Sequence, residues 1–119
     1  MNGNNKTKNR NNYGKRKSSK TNRRGSPEQI EAWKREFETV FQYTLADNRV
    51  AYFRTPTLQI LDACKTLSGG SAMKFNELLM NNCWLGGDDE LRKHDKYKMG
   101  IFEWLPDIII KVEGRLEKL

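Results

Sequence analysis

Three features of this sequence predict an α+β domain behind a cationic tail. The first 25 residues hold nine Lys/Arg and no Asp or Glu, while residues 26–119 carry 13 basic against 15 acidic groups, a net −2 within a chain of +7. Helix-start signals followed by apolar residues three and four apart recur through residues 26–119. Between the first and second of them lie two short runs rich in β-branched and aromatic residues, joined by a polar link. The expected organisation is a disordered basic tail over 1–25 and a single α+β helical domain over 26–119. That domain should hold an N-terminal helix, a β-hairpin, and then a bundle of three to four α-helices.

The tail contains Met1 and Tyr13 as its large apolar side chains, too few to offset the entropy of ordering 25 residues. The remaining stretch, about 94 residues, suffices for one modest core. No apolar run approaches the roughly 18 to 20 residues of a membrane span, and the N-terminus lacks the apolar region of a secretory signal. The expectation is a protein that stays in the compartment where it is made. Cys64 and Cys83 are too sparse for a disulfide framework and read as small buried hydrophobes in a reducing cytoplasm.

Along the body, Ser26-Pro27-Glu28-Gln29 is a helix start: Ser26 as N-cap, Pro27 at the first helical position, Gln29 completing a capping box. Ile30, Trp33, Lys34 and Phe37 then follow at helical spacing, so a helix is expected to about Glu38. Thr39–Leu45 and Arg49–Arg54 read as hairpin strands with Asp47-Asn48 at the turn. A lone hairpin is marginal, so helices must cover it. Thr55-Pro56 repeats the start signal, with Thr55 as N-cap, and Leu58, Leu61, Cys64 and Leu67 form a stripe. Ser68-Gly69-Gly70-Ser71 ends that helix and caps the next, whose stripe is Ala72, Phe75, Leu79 and Cys83. Gly86-Gly87 should end this third helix, and Asp88 or Asp89 should cap a short turn through Leu91. Asp95 should cap a last helical stretch bearing Tyr97, Ile101, Trp104 and Leu105, kinked at Pro106. Ile108–Val112, Leu116 and Leu119 complete its apolar pattern.

Few residues suggest chemistry. Asp88, Asp89, Glu90 and Asp95 with His94 are the one dense set of oxygen and nitrogen donors, but no EF-hand, HExxH or paired-Cys spacing accompanies them. Helix capping accounts for the carboxylates, and His94 reads as a surface residue. Gly69-Gly70 and Gly86-Gly87 lack the strand–turn–helix context and spacing of phosphate-binding loops. Trp33, Trp84 and Trp104 could stack on bases, but their places near apolar stripes favour packing or an interface. The expectation is therefore a non-enzymatic protein with no cofactor and no metal. The tail cations Lys6, Lys8, Arg10, Lys15, Arg16, Lys17, Lys20, Arg23 and Arg24 could neutralise nucleic-acid phosphates. An acidic membrane surface or acidic protein would attract them too, and a merely solubilising tail would show the same composition.

From about Gln29 onward the chain resembles small proteins of the tail-morphogenesis clusters of tailed bacteriophages and prophages, particularly those of Bacteroidetes, which are similar to tail assembly chaperones. The likeness is carried by Ala32-Trp33-Lys34, by Ala51-Tyr52-Phe53-Arg54-Thr55-Pro56, and by Phe75-Asn76-Glu77-Leu78-Leu79. The most specific stretch is Asn82-Cys83-Trp84-Leu85-Gly86-Gly87-Asp88-Asp89-Glu90-Leu91, and Gly114-Arg115-Leu116-Glu117-Lys118-Leu119 completes it. The resemblance implies a protein of the bacterial host cytoplasm that holds a tape-measure or tail-tube partner through helical surfaces, with self-association compatible with that role. Ile108, Ile109 and Ile110 cannot all face one core stripe, so with Trp84 and Trp104 they are the expected partner-binding residues. The basic tail departs from the family pattern and keeps a second expectation open: a small nucleic-acid-binding protein that grips phosphates through residues 1–25.

Overall fold

The computed structural model describes residues 24–119. Within them the chain runs α1 (Pro27–Phe37), β1 (Val40–Thr44), β2 (Val50–Arg54), α2 (Leu58–Ser68), α3 (Ala72–Cys83) and β3 (Trp84–Gly87). A 3-10 turn (Asp89–Arg92), α4 (Asp95–Trp104) and a second 3-10 turn (Leu105–Ile108) follow. The α+β class expected from sequence is the one observed. The disorder expected of the tail falls on residues 1–23, outside the described residues.

Local chemistry explains most boundaries. Ser26 Oγ accepts from the Gln29 N–H at 3.1 Å with Pro27 in the first turn, so α1 starts as its capping residues dictate. Glu38, at φ 71°, closes the helix, its N–H donating to Lys34 O at 2.9 Å. The hairpin turns at Asn48 (φ 74°), while Asp47 Oδ1 accepts from the Arg49 N–H at 3.1 Å. Gly69 at φ 58° ends α2, and Ser71 Oγ caps α3 by accepting from Lys74 N–H at 3.1 Å.

Two caps differ from expectation. The N-cap of α2 is Thr57, whose side chain accepts from Ile60 N–H at 3.1 Å, not Thr55. Thr57 caps as well as Thr55 would, and the later start frees Thr55 Oγ1 to donate to the Ile108 carbonyl at 2.6 Å. His94, not Asp95, occupies the N-cap of α4, with no side-chain cap bond. Asp95 sits in the first turn, where its charge suits the helix dipole.

The sheet has a third strand that periodicity did not reveal. Trp84–Gly87, expected only as a helix end, pairs antiparallel with β2, giving the order β1-β2-β3. Its register (Ala51 opposite Gly87, Tyr52 opposite Gly86, Phe53 opposite Trp84) contains a bulge that leaves Leu85 unmatched. Four residues with two glycines carry no usable alternation, and their partner lies about 30 residues upstream. β2 is therefore central, and Val50, Ala51, Tyr52 and Phe53 are all buried.

The two faces of β2 meet different layers. Ala51 and Phe53 join Cys64, Leu79, Met80, Cys83, Leu91, Ile101, Leu105 and Ile108 in the main core between sheet and helices. Each fully buried large side chain there contributes roughly 1.5–3 kcal/mol. On the opposite face Trp33 of α1 packs on Tyr52, with ring centroids 5.3 Å apart. Gly86 makes this contact close, since a Cβ there would lie 3.1 Å from Trp33 Cη2. The Tyr52 hydroxyl also accepts from the Gly25 N–H at 3.1 Å, so the end of the cationic segment is tied to the sheet.

The C-terminal stretch is the largest departure. Helix α4 ends at Trp104, Pro106 sits in a 3-10 turn, and residues 110–119 form no regular element. The expected helical surface over Ile108–Leu119 is corrected to a 3-10 turn ending at Ile108 and a stretch with no regular element after it. Three consecutive β-branched isoleucines, Pro106 and Gly114 all weaken helix formation, and among the described residues no facing element buries Val112, Leu116 or Leu119.

Candidate functional site

The geometry builds a concave apolar feature from the residues upward. β1 is an edge strand, and its inward side chains Phe41 and Tyr43 lie opposite Phe53 and Ala51 of β2. α4 and the following 3-10 turn bring Ile101, Trp104, Leu105 and Ile108 alongside that edge. Together they line a groove of about 380 Å³ that also touches Gln42, Thr44 and Asp107. Gly100 allows the close approach of β1 to α4: a Cβ there would lie 2.9 Å from the Tyr43 hydroxyl. Burial, with a smaller contribution from Glu103, pushes the Tyr43 phenol above its ordinary pKa. The groove is thus a mostly apolar trough with acidic groups at its rim, suited to apolar side chains of a partner.

The expected partner-binding residues divide between three environments. Trp104 is 56% exposed at the groove rim, and Ile110 is 53% exposed just beyond it. Ile108 is buried and forms part of the groove wall, while Ile109 packs half-buried against the core. Trp84 lies in β3, half-buried, edge-on to Phe53 at 5.5 Å and beneath the Arg92 guanidinium at 4.4 Å. It lies on the sheet rather than on a helix. Phe41 and Tyr43 were missed because the sequence identifies them only as hairpin residues. The signal that could have found them is the absence of charge in Val40-Phe41-Gln42-Tyr43-Thr44.

The charged residues near β3 turn to separate tasks. Asp88 is buried, and its Oδ2 accepts from the Val50 N–H at 3.0 Å. Asp89 accepts from Arg92 Nε at 2.9 Å, an interaction that holds its carboxyl below the usual carboxylate range. Glu90 meets His94 Nε2 at 2.9 Å on the surface, and Asp95 begins α4. Among the described residues no three potential donors converge on one point. A second polar set joins Asp47, Arg49 and Tyr97: Arg49 donates to the Tyr97 hydroxyl at 2.9 Å and to Asp47 Oδ2 at 2.9 Å. These bonds lower the pKa of both partners.

Of the candidate nucleic-acid residues, Lys6, Lys8, Arg10, Lys15, Arg16, Lys17, Lys20 and Arg23 lie outside the described residues. Arg24 is described and exposed. No helix among the described residues is long and apolar enough to cross a membrane. No protein-family model matches the chain, and no match to it was found among curated proteins or among solved structures.

Proposed function

We propose that this chain is a non-enzymatic partner-binding protein of the tail assembly chaperone type, acting in the cytoplasm of a bacterial host on a tape-measure or tail-tube protein. The observation that supports this reading is the apolar groove between β1 and α4, with Trp104 exposed on its rim and Ile110 beside it. A client of this kind is a long apolar-faced rod that must be held and then released. A shallow trough of a few apolar side chains with a half-exposed tryptophan anchor gives contact area without a deep, slow-releasing pocket. The whole contact is set on rigid elements, a sheet edge and a helix end, so little ordering is needed to bind.

The test is a pull-down from phage-producing cells with the full chain, with a chain starting at Ser26, and with Trp104→Ala, each repeated after nuclease treatment. Retention of a tape-measure or tail-tube protein by the first two, lost with Trp104→Ala and insensitive to nuclease, is the expected result. The nine cations and no acids of the first 25 residues favour a second reading, nucleic-acid binding through the tail. Recovery of nucleic acid by the full chain alone, without any tail protein, would replace the first reading with the second. Binding through the tail also requires a salt slope of roughly 0.7–0.9 per phosphate contact, removed with residues 1–25.

A further inference from the structure

The two edges of the sheet are treated differently by this sequence. β3 is four residues long, contains Gly86 and Gly87, and carries a bulge, all devices that discourage further pairing. β1 has none of them: Val40-Phe41-Gln42-Tyr43-Thr44 holds no charge, no proline and no glycine. Its outward backbone groups can be identified. Leu45 N–H bonds to Arg49 O within the hairpin, and the Val50 N–H and C=O both turn toward Asp88 on the β3 side. By the alternation of an antiparallel ladder, Gln42 and Thr44 then direct their N–H and C=O groups away from β2. An uncharged five-residue edge whose backbone groups at Gln42 and Thr44 point away from β2, flanked by an apolar groove, is a template for one more strand.

The same chain also carries an apolar segment that belongs to no element. Residues 110–119 follow the groove wall at Ile108, starting from extended backbone at Ile109 (φ −86°, ψ 106°), and belong to no regular element. Their apolar residues alternate: Ile110 and Val112 lie on one side of an extended chain, Lys111 and Glu113 on the other. Val112 is 96% exposed and Ile110 53%, so both present apolar surface to a partner. Ten extended residues reach about 33 Å, enough to meet another molecule.

We infer that a second copy of this chain covers the groove, its Ile109–Glu113 segment pairing with β1 and placing Ile110 and Val112 against Phe41, Tyr43 and Trp104. One chain supplies both halves of the contact, so a two-fold dimer in which each copy gives one strand and receives one leaves neither unpaired. The inference concerns the chain's own assembly: the second copy and the client of the proposed function use the same groove, so a client must displace the segment to bind there.

The test is the oligomeric state of the full chain by sedimentation velocity over a micromolar to millimolar series, repeated with Val112→Asp and with Gln42→Pro. Gln42→Pro removes an outward N–H and leaves the β1–β2 ladder bonds in place. The expected result is a dimer whose dissociation constant rises at least about 100-fold in each variant, given the apolar area and backbone bonds involved. Far-UV circular dichroism of both variants should match the parent. A full chain that stays monomeric throughout the series overturns the inference. So does a dimer that neither variant weakens while both remain folded.

Discussion

Asp88 and Val50 hold each other at two points: the Asp88 N–H donates to the Val50 carbonyl at 2.8 Å, and the Val50 N–H donates to Asp88 Oδ2 at 3.0 Å. The carboxylate thus continues the β2–β3 ladder past the point where the backbone of β3 turns away. Both residues are buried. Asp88→Ala should leave the Val50 N–H without this acceptor and cost about 1–3 kcal/mol. Asp88→Asn, which keeps an acceptor oxygen, should cost less. Urea denaturation of the three proteins measures the difference, and equal midpoints for Asp88→Ala and the parent would show that the bond contributes nothing.

This pair also marks what the sequence could and could not reveal. Periodicity and caps located α1, the hairpin, α2, α3 and α4, because each is specified by residues within one or two turns of itself. Ser26, Gly69 and Ser71 act where a local reading puts them. β3 was illegible, because Trp84-Leu85-Gly86-Gly87 becomes a strand only when Val50–Phe53 is presented to it by the rest of the fold. The buried role of Asp88 follows from the same long-range pairing, so a helix-capping reading was the natural one. The groove was half legible: Trp104 and Ile108–Ile110 stood out as surplus apolar residues, while Phe41 and Tyr43 gained their place only through register. The helical reading of the C-terminal stretch failed because apolar spacing near 3.6 cannot form a helix without a surface to bury it against.

Gly87 combines a φ of 121° with close neighbours, since an added Cβ would collide with the Val50 carbonyl and lie 2.7 Å from Ala51 Cα. Both obstacles are backbone of the central strand and cannot swing aside. Gly87→Ala is expected to destabilise by roughly 1–3 kcal/mol from backbone conformation alone, with the collision adding to it. Gly70→Ala is the control: it also has positive φ but meets nothing within 4 Å. Thermal melts of the two should rank Gly87→Ala clearly lower.

Trp33 holds α1 to the outer face of the sheet, and α1 has no fully buried residue of its own. Trp33→Ala should therefore cost about 2–4 kcal/mol, below a full core deletion because the ring is only half-buried. The loss should appear as a drop in helical signal and faster hydrogen exchange over Pro27–Phe37, with α3 protected as before. Uniform loss of protection across the chain would instead make α1 integral to the main core.

Cys64 and Cys83 are buried and free. Burial, the largest cause, pushes the Cys83 thiol from its ordinary 9.0 up to about 11, against a smaller opposing pull from Arg54. The folded state therefore favours the protonated thiol. This contribution is complete below about pH 9 and is lost as pH rises through 11, an effect of about 3 kcal/mol at most. Stability measured between those limits should fall less steeply in Cys83→Ala than in the parent. In native protein at pH 8 both thiols should resist a disulfide reagent and react fully once urea unfolds the chain.

The helical hairpin α2–α3 is inserted between the two strands that β2 and β3 contribute to one sheet, and this sets an order of assembly. β1 and β2 close across a five-residue link and form quickly as a local unit, whereas β3 must wait until some 30 intervening residues have been gathered in. Substitutions in the β1–β2 turn should then slow refolding, while Gly87→Ala and Asp88→Ala should mainly speed unfolding. The completed sheet acts as a latch: the last strand to arrive, pinned through Asp88, governs how long the native state survives once formed.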